Sequence, residues 1–302
     1  MFYKYDRKLF RFKVDLQGKL AGDHFRWITG WNFQNFKIAE VNLDKLNKNK
    51  EGDEVLPEVD GLYQLYQDWG LISGDEVDGG FVPTFKGGLV FDTRDNRPNP
   101  MKGMWTEAVV EASPKILGAE SSFAKLSLIH RQYFTLVPRN LSLVYRLAYQ
   151  TTLAGDVPFY YQSQVITSIL TGALSEGLGG AKTLRGVLRN RVVGDGFFYG
   201  NLEARWKFVR FNFIKNNFYL GLNGFADFGR VTKKIDFTLP ANLGTYSKAD
   251  FFKDDAEKFH TSVGAGLRIA MNENFVIAVD YGRALNDQDG KSGMYIGLNY
   301  LF

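Results

Sequence analysis

Asp92, Arg94 and Asp95 stand close together in the stretch DTRDNRPNPMKG (92–103). Two carboxylates flanking a guanidinium could bind a cation or act as an acid–base pair. The same stretch carries Asn96, Pro98, Asn99, Pro100 and Gly103, all turn formers. The composition therefore predicts a capped turn in which Arg94 pairs with a neighbouring acid. NDQDG (286–290) has some of the acidic spacing of a calcium loop but lacks its first Asp and its distant Glu, which predicts a polar hairpin. His24, His130 and His260 are scattered, no Cys is present, and no GxSxG, HExxH or paired-carboxylate constellation occurs. The expectation is a non-enzymatic protein with no metal site and no cofactor.

The elements that carry these residues alternate with period two. In LFRFKVDLQGKL, Phe10, Phe12, Val14 and Leu16 share one face, with Arg11, Lys13, Asp15, Gln17 and Lys19 on the other. HFRWITGWNFQ and LSLVYRLAYQ repeat the pattern, the first with Trp27 and Trp31, the second with Leu143 and Tyr145 on the apolar side. In NLEARWKF, Leu202, Ala204 and Trp206 oppose Glu203; in FYLGLNGFADFG, Leu220, Leu222 and Ala226 oppose Asp227. With the remaining runs this gives about eleven strands. Short links after Ala21 and at 138–140, 214–217 and 272–274 interleave with long polar ones near 42–79, 153–195 and 232–257. One end of the sheet then has tight turns and the other long loops. Within the first long loop, VDGLYQLYQDWGLI (59–72) reads either as a short amphipathic helix or as a plain loop plug.

The 302 residues are 45% hydrophobic and 15% aromatic with a net charge of +4, and Lys and Arg are dispersed among acids. That dispersion predicts no nucleic-acid surface. No stretch reaches the roughly 18 apolar residues of a spanning helix, while membrane strands remain allowed because every second residue faces inward. Placing Arg11 and Lys13 in lipid would cost on the order of 2–4 kcal/mol each near the midplane. A membrane reading therefore turns the apolar face outward, as a belt including Phe12, Trp27, Tyr145, Trp206, Leu222 and Ile296. A soluble sandwich has the same alternation, with its Trp and Tyr as core.

Three stretches go beyond pattern: DTRDNRPNPMKG at a tight-turn end, GGAKTLRG (179–186) inside a long loop, and the terminal GMYIGLNYLF, whose Met294, Ile296, Leu298, Tyr300 and Phe302 share one side by alternation. Together they resemble the BamA/TamA superfamily of outer-membrane proteins, whose barrel is also called the bacterial surface antigen domain. The likeness runs from about Gly80 to Phe302. It implies an all-β, transmembrane antiparallel barrel, with the strand ending in DTRD as the eighth of sixteen. Residues 1–302 would then be a partial barrel of about eleven C-terminal strands, without a signal peptide or polypeptide-transport-associated (POTRA) domains, as expected of an N-terminally truncated chain or a mis-started reading frame of a short family member.

The resemblance also assigns roles. LRG stands where the family has a loop motif that folds back into the barrel, so Arg185 and Gly186 are expected in the lumen, with Arg185 against Glu203 and Asp227. The alternative is a solvated Arg185 on an exposed loop. Ile296, Leu298, Tyr300 and Phe302 are expected to form the assembly signal, with Phe302 a signal and not a packing residue. The implied activity is insertion or translocation of client membrane proteins through a weakly paired seam between first and last strands, driven by folding free energy. Implied partners are outer-membrane lipid and lipopolysaccharide, the assembly machinery and client proteins, and a homo-oligomer is allowed. A non-catalytic channel, lipid-handling or structural barrel is the alternative.

Overall fold

A computed structural model describes residues 2–57, 59–72, 74–168, 173–251 and 256–302. Parts of the long loops expected at 153–195 and 232–257 lie outside them. Eleven strands form one antiparallel sheet: β1 (Asp6–Ala21), β2 (Phe25–Ala39), β3 (Gly79–Asp92), β4 (Gly103–Ser113), β5 (Phe123–Val137), β6 (Leu141–Gly155), β9 (Gly196–Phe213), β10 (Asn216–Lys233), β11 (His260–Met271), β12 (Phe275–Ala284) and β13 (Ser292–Leu298). Each pairs with its predecessor in the sheet, and β6 pairs directly with β9. Between those two, β7 (Gln164–Ser168) and β8 (Ala173–Glu176) make a separate hairpin within the loop, which the alternation did not announce.

Links at one end are tight. Ile214 and Lys215 both take positive φ between β9 and β10, as do Asn272 and Glu273 between β11 and β12. This twist matches that of the flanking strands. The other end carries the long links, with the short helices α1 (Leu43–Asn47), α2 (Leu62–Asp68), α3 (Phe159–Gln162) and α4 (Lys248–Phe251). Helix α2 buries Tyr63 and Leu65, and Leu65 and Trp69 pack with Leu243, Phe251 and Phe2 into an apolar roof over that end.

The sheet is inverted relative to a soluble sandwich. Phe12, Trp27, Trp31, Trp206, Leu222 and Ile296 are exposed, while Glu107, Lys125, Arg146, Glu203, Arg205 and Arg268 are buried on the opposite face. A water-soluble core would reverse that distribution. The apolar face fits lipid and the charged face a lumen, as in outer-membrane barrels. The inner face is filled by the loop between β6 and β9: its Leu178, Leu184, Val187 and Val192 pack against Ile129, Phe197, Tyr199 and Val231 of the wall.

The chain end departs from the expected alternation. Ile296 is 73% exposed, but Tyr300 and Phe302 are each 8% exposed and lie on the inner face. Asn299 is the cause: its φ of 66° breaks the strand after Leu298, and one left-handed residue swaps the side on which the following side chains emerge. Phe302 packs with Tyr133 and Val144. The five residues Met294 to Phe302 therefore do not share one side, and Phe302 is a packing residue.

Candidate functional site

A cluster of charged side chains on the inner face is built around Arg185, which is 1% exposed. Its guanidinium meets Asp227 of β10 in a fork: Nε donates to Oδ2 at 2.9 Å and Nη2 to Oδ1 at 2.9 Å. The Arg185 backbone N–H donates to the same carboxylate at 3.0 Å. Nη1 lies 2.8 Å from Glu203 Oε1 of β9 and 3.4 Å from Asp280 Oδ2 of β12. The guanidinium also lies over the Phe225 ring, 3.5 Å from its centroid. Three strands thus each supply one acid to one loop cation. Burial alone would lower the Arg185 pKa, but Glu203 and Asp227 outweigh it and hold the guanidinium above its ordinary value.

Local sequence makes the approach feasible. Gly186 has φ 98°, and a Cβ there would sit 2.7 Å from the backbone nitrogen of Arg283. Facing it, Gly282 leaves room for the Arg185 carbonyl, which a Cβ would meet at 2.6 Å. Loop backbone and β12 backbone touch because neither residue has a side chain. The Gly186 N–H donates to the Tyr295 hydroxyl of β13 at 2.9 Å, so the loop also reaches the last strand. Asn201 of β9 donates to the Thr183 carbonyl and to Asp227, while Arg146 of β6 donates to the Lys182 carbonyl. Inside the loop the Gly179 N–H donates to the Thr183 hydroxyl, which donates back to the Gly179 carbonyl, so wall and loop side chains pair several of its buried backbone groups.

The cluster continues toward the chain end. Arg205 donates to Glu203 at 2.8 Å and to the Phe302 backbone oxygen at 2.9 Å, and its guanidinium lies 4.1 Å from the Tyr300 ring centroid. Arg268 forms an ion pair with Asp280 at 2.8 Å, and its guanidinium lies 5.4 Å from the same Tyr300 ring centroid. Tyr300 is therefore bracketed by two arginines whose acids, Glu203 and Asp280, are those that hold Arg185. Charge-assisted hydrogen bonds and desolvated cation–π contacts are the stronger members of their classes.

Of the residues singled out from sequence, Arg185, Gly186, Glu203 and Asp227 come together. Asp280, Phe225, Asn201, Arg205 and Arg268 were missed, although Asp280 was within reach: in NFVIAVDYGRAL it opposes Ile277, Val279 and Tyr281, which face outward or lie half-buried. The turn motif lies apart. Arg94 pairs with Asp92 at 2.9 Å, stacks 3.9 Å from the Trp105 ring centroid, and Asp95 accepts the backbone N–H groups of Asn96, Met101 and Lys102. That is turn chemistry around residues leading into Gly103, whose φ of 95° only glycine adopts readily. In NDQDG, Asp289 is buried and accepts from His260 Nδ1 at 2.8 Å, and its backbone oxygen accepts from the Leu188 N–H of the loop.

A charged inner face, an apolar outer face and a loop pinned inside describe a particular class of wall, and the comparisons agree with it. BamA from Haemophilus ducreyi lacking POTRA domains 1–3 superposes with a TM-score of 0.61 at 13% identity, covering 98% of this chain and 55% of that one. CdiB from Escherichia coli superposes with a TM-score of 0.60 at 13% identity, covering 97% and 45%. At this identity the likeness shows the fold, and the chain spans about half the length of the solved structures it resembles. No curated sequence matches the chain significantly. The Omp85 superfamily domain matches residues 81–302, the segment that contains Arg185 and all the acids around it, and the chain belongs to the Omp85 superfamily of outer-membrane β-barrels.

Proposed function

We propose that this chain forms wall and lumen of an outer-membrane barrel that inserts or translocates client proteins, with the Arg185 loop as its internal lock. The observation that carries the reading is the junction of one loop cation with acids from β9, β10 and β12 inside an inverted wall. In such a device the lock holds the loop and, through Glu203 and Arg205, the inward-turned end of the last strand. The ladder between β12 and β13 is short, since β13 has 7 residues against 18 in each of β9 and β10. A short ladder opens at lower cost than a long one, which leaves the last strand freer to part from the first at the seam that would admit a client strand. Client folding supplies the free energy, and the membrane, the assembly machinery and unfolded barrel precursors are the partners. Phe302 serves as the recognised terminus during assembly before it packs inside.

A passive channel fits less well, because the loop core of Leu178, Leu184, Val187 and Val192 occupies the inner face. The test is reconstitution of the full-length protein in lipid vesicles with a urea-unfolded outer-membrane barrel as client. Faster acquisition of protease resistance by the client than in empty vesicles is expected. Equal rates with a correctly inserted protein would discard the reading.

A further inference from the structure

At the tight-turn end the wall has a step. Strand β6 starts at Leu141, opposite Trp206, whereas β9 runs on to Phe213. Beyond Trp206 the Lys207 N–H donates to the Asn140 carbonyl at 2.7 Å. The missing wall leaves a cavity of about 600 Å³ between the β5–β6 turn, the β9–β10 hairpin and the β11–β12 turn.

Its charge is one-sided. Arg139, at the turn with φ 67°, makes no side-chain ion pair or hydrogen bond among the described residues. Arg210 donates to the Arg139 carbonyl and meets Glu273 only at 3.4 Å. Behind them Lys207 is 6% exposed, its ammonium 5.0 Å from the Tyr219 ring centroid and without an ion pair among the described residues. Two guanidinium groups thus share the cavity with one acid, Glu273. The side-chain amides of Asn212 and Asn217, opposite each other in register, add neutral donors. On the outer face beside the step, Phe211 and Phe218 stack with centroids 5.4 Å apart and rings 10° from parallel. Donors for an oxyanion, open space and an adjoining aromatic surface on the lipid side belong together in one kind of ligand.

We infer that this step is a binding site for the phosphodiester headgroup of a glycerophospholipid, held by Arg139 and Arg210 with its acyl chains along Phe211 and Phe218. The inference rests on the outer-membrane placement proposed above, which puts the tight-turn end at the leaflet facing the periplasm. Forked guanidinium donors match phosphate oxygens, and an unpartnered cation at a membrane edge loses hydration that a lipid phosphate replaces. A lipid seated there would fill the wall where β6 falls short.

Native mass spectrometry of the full chain in detergent, titrated with phosphatidylglycerol, tests it. One retained lipid is expected. Removing both guanidinium groups in Arg139→Gln/Arg210→Gln should weaken retention by about tenfold or more, since hydrogen bonds to charged groups are involved. Glu273→Gln, which deletes the competing acid, should tighten it, and Lys115→Gln at the opposite rim should leave it unchanged. Both altered arginines are solvent-facing, so folding is retained and is checked by circular dichroism. Equal retention by wild type and the double variant overturns the site. Displacement of the lipid by an equal concentration of glycerol 3-phosphate also overturns it, by identifying a soluble phosphate ester as the ligand. Client insertion is measured separately in vesicles, so the site and the proposed function can fail independently.

Discussion

Arg185 is the residue on which most of the lumen converges, and its removal is not symmetrical among its acids. Glu203 keeps Arg205 at 2.8 Å and Asp280 keeps Arg268 at 2.8 Å, but Asp227 loses its forked partner and retains Asn201. Arg185→Ala should therefore concentrate the penalty on Asp227, about 3–5 kcal/mol for an uncompensated buried charge. The expected phenotype is an inserted barrel whose loop is cut faster by trypsin and whose insertion activity is reduced. Arg185→Ala/Asp227→Asn should recover part of the protease resistance, because the orphaned charge is gone. Arg189, 72% exposed on the same loop and paired with Glu176 at 2.7 Å, should give no more than about 1 kcal/mol on substitution by Ala. If Arg189→Ala loosened the loop as much as Arg185→Ala, the lock would not reside in the buried cluster. Gly186→Ala should resemble Arg185→Ala, since its Cβ would collide with the β12 backbone at 2.7 Å.

At the scale of the element, the last strand and the chain end after it carry two conformations: an extended ladder to Leu298 and an inward hook after Asn299. Asn tolerates positive φ, and a β-branched residue does not. Asn299→Val should straighten the end, bring Tyr300 out from between Arg205 and Arg268, and raise hydrogen exchange in residues 179–186 because the acids are shared with the loop. Unchanged exchange in that loop would separate hook from lock. Deleting Phe302 removes an aromatic side chain packed on Val144 and Tyr133, a loss of roughly 1.5–3 kcal/mol. It also removes the proposed recognition end. Refolding of the full-length protein into vesicles reads the first effect, and yield in the outer membrane reads the second. A normal outer-membrane yield would remove the signal role and leave only packing.

For the whole molecule, the distribution of apolar and charged side chains sets the environment that it needs. Trp31→Lys or Leu143→Arg would place a charge on the outer face, at about 2–4 kcal/mol near the midplane. Arg11→Gln removes only a lumen-side contact in which Arg11 Nε donates to Asn32 at 2.9 Å. The outward changes should abolish folding into bilayers at concentrations of denaturant where Arg11→Gln still folds. Equal tolerance of both would contradict a lipid-facing apolar surface.

Alternation by itself determined the eleven strands of the sheet, the tight and long ends, and the inward phase of Glu203 and Asp227, because a period of two is local: each residue's side follows from its neighbour's. The turn chemistry of 92–103 was equally local. The loop hairpin of β7 and β8, Asp280 as a third acid and the arginines that bracket Tyr300 required the fold, since they depend on which strands curl to face one another across the lumen. The hook at Asn299 shows the limit most sharply. Alternation placed Tyr300 and Phe302 outside, and one residue at φ 66° reversed them. The sequence pattern is compatible with either φ at Asn299. The buried cations Arg205 and Arg268, brought together only by tertiary structure, supply the contacts that select the inward one.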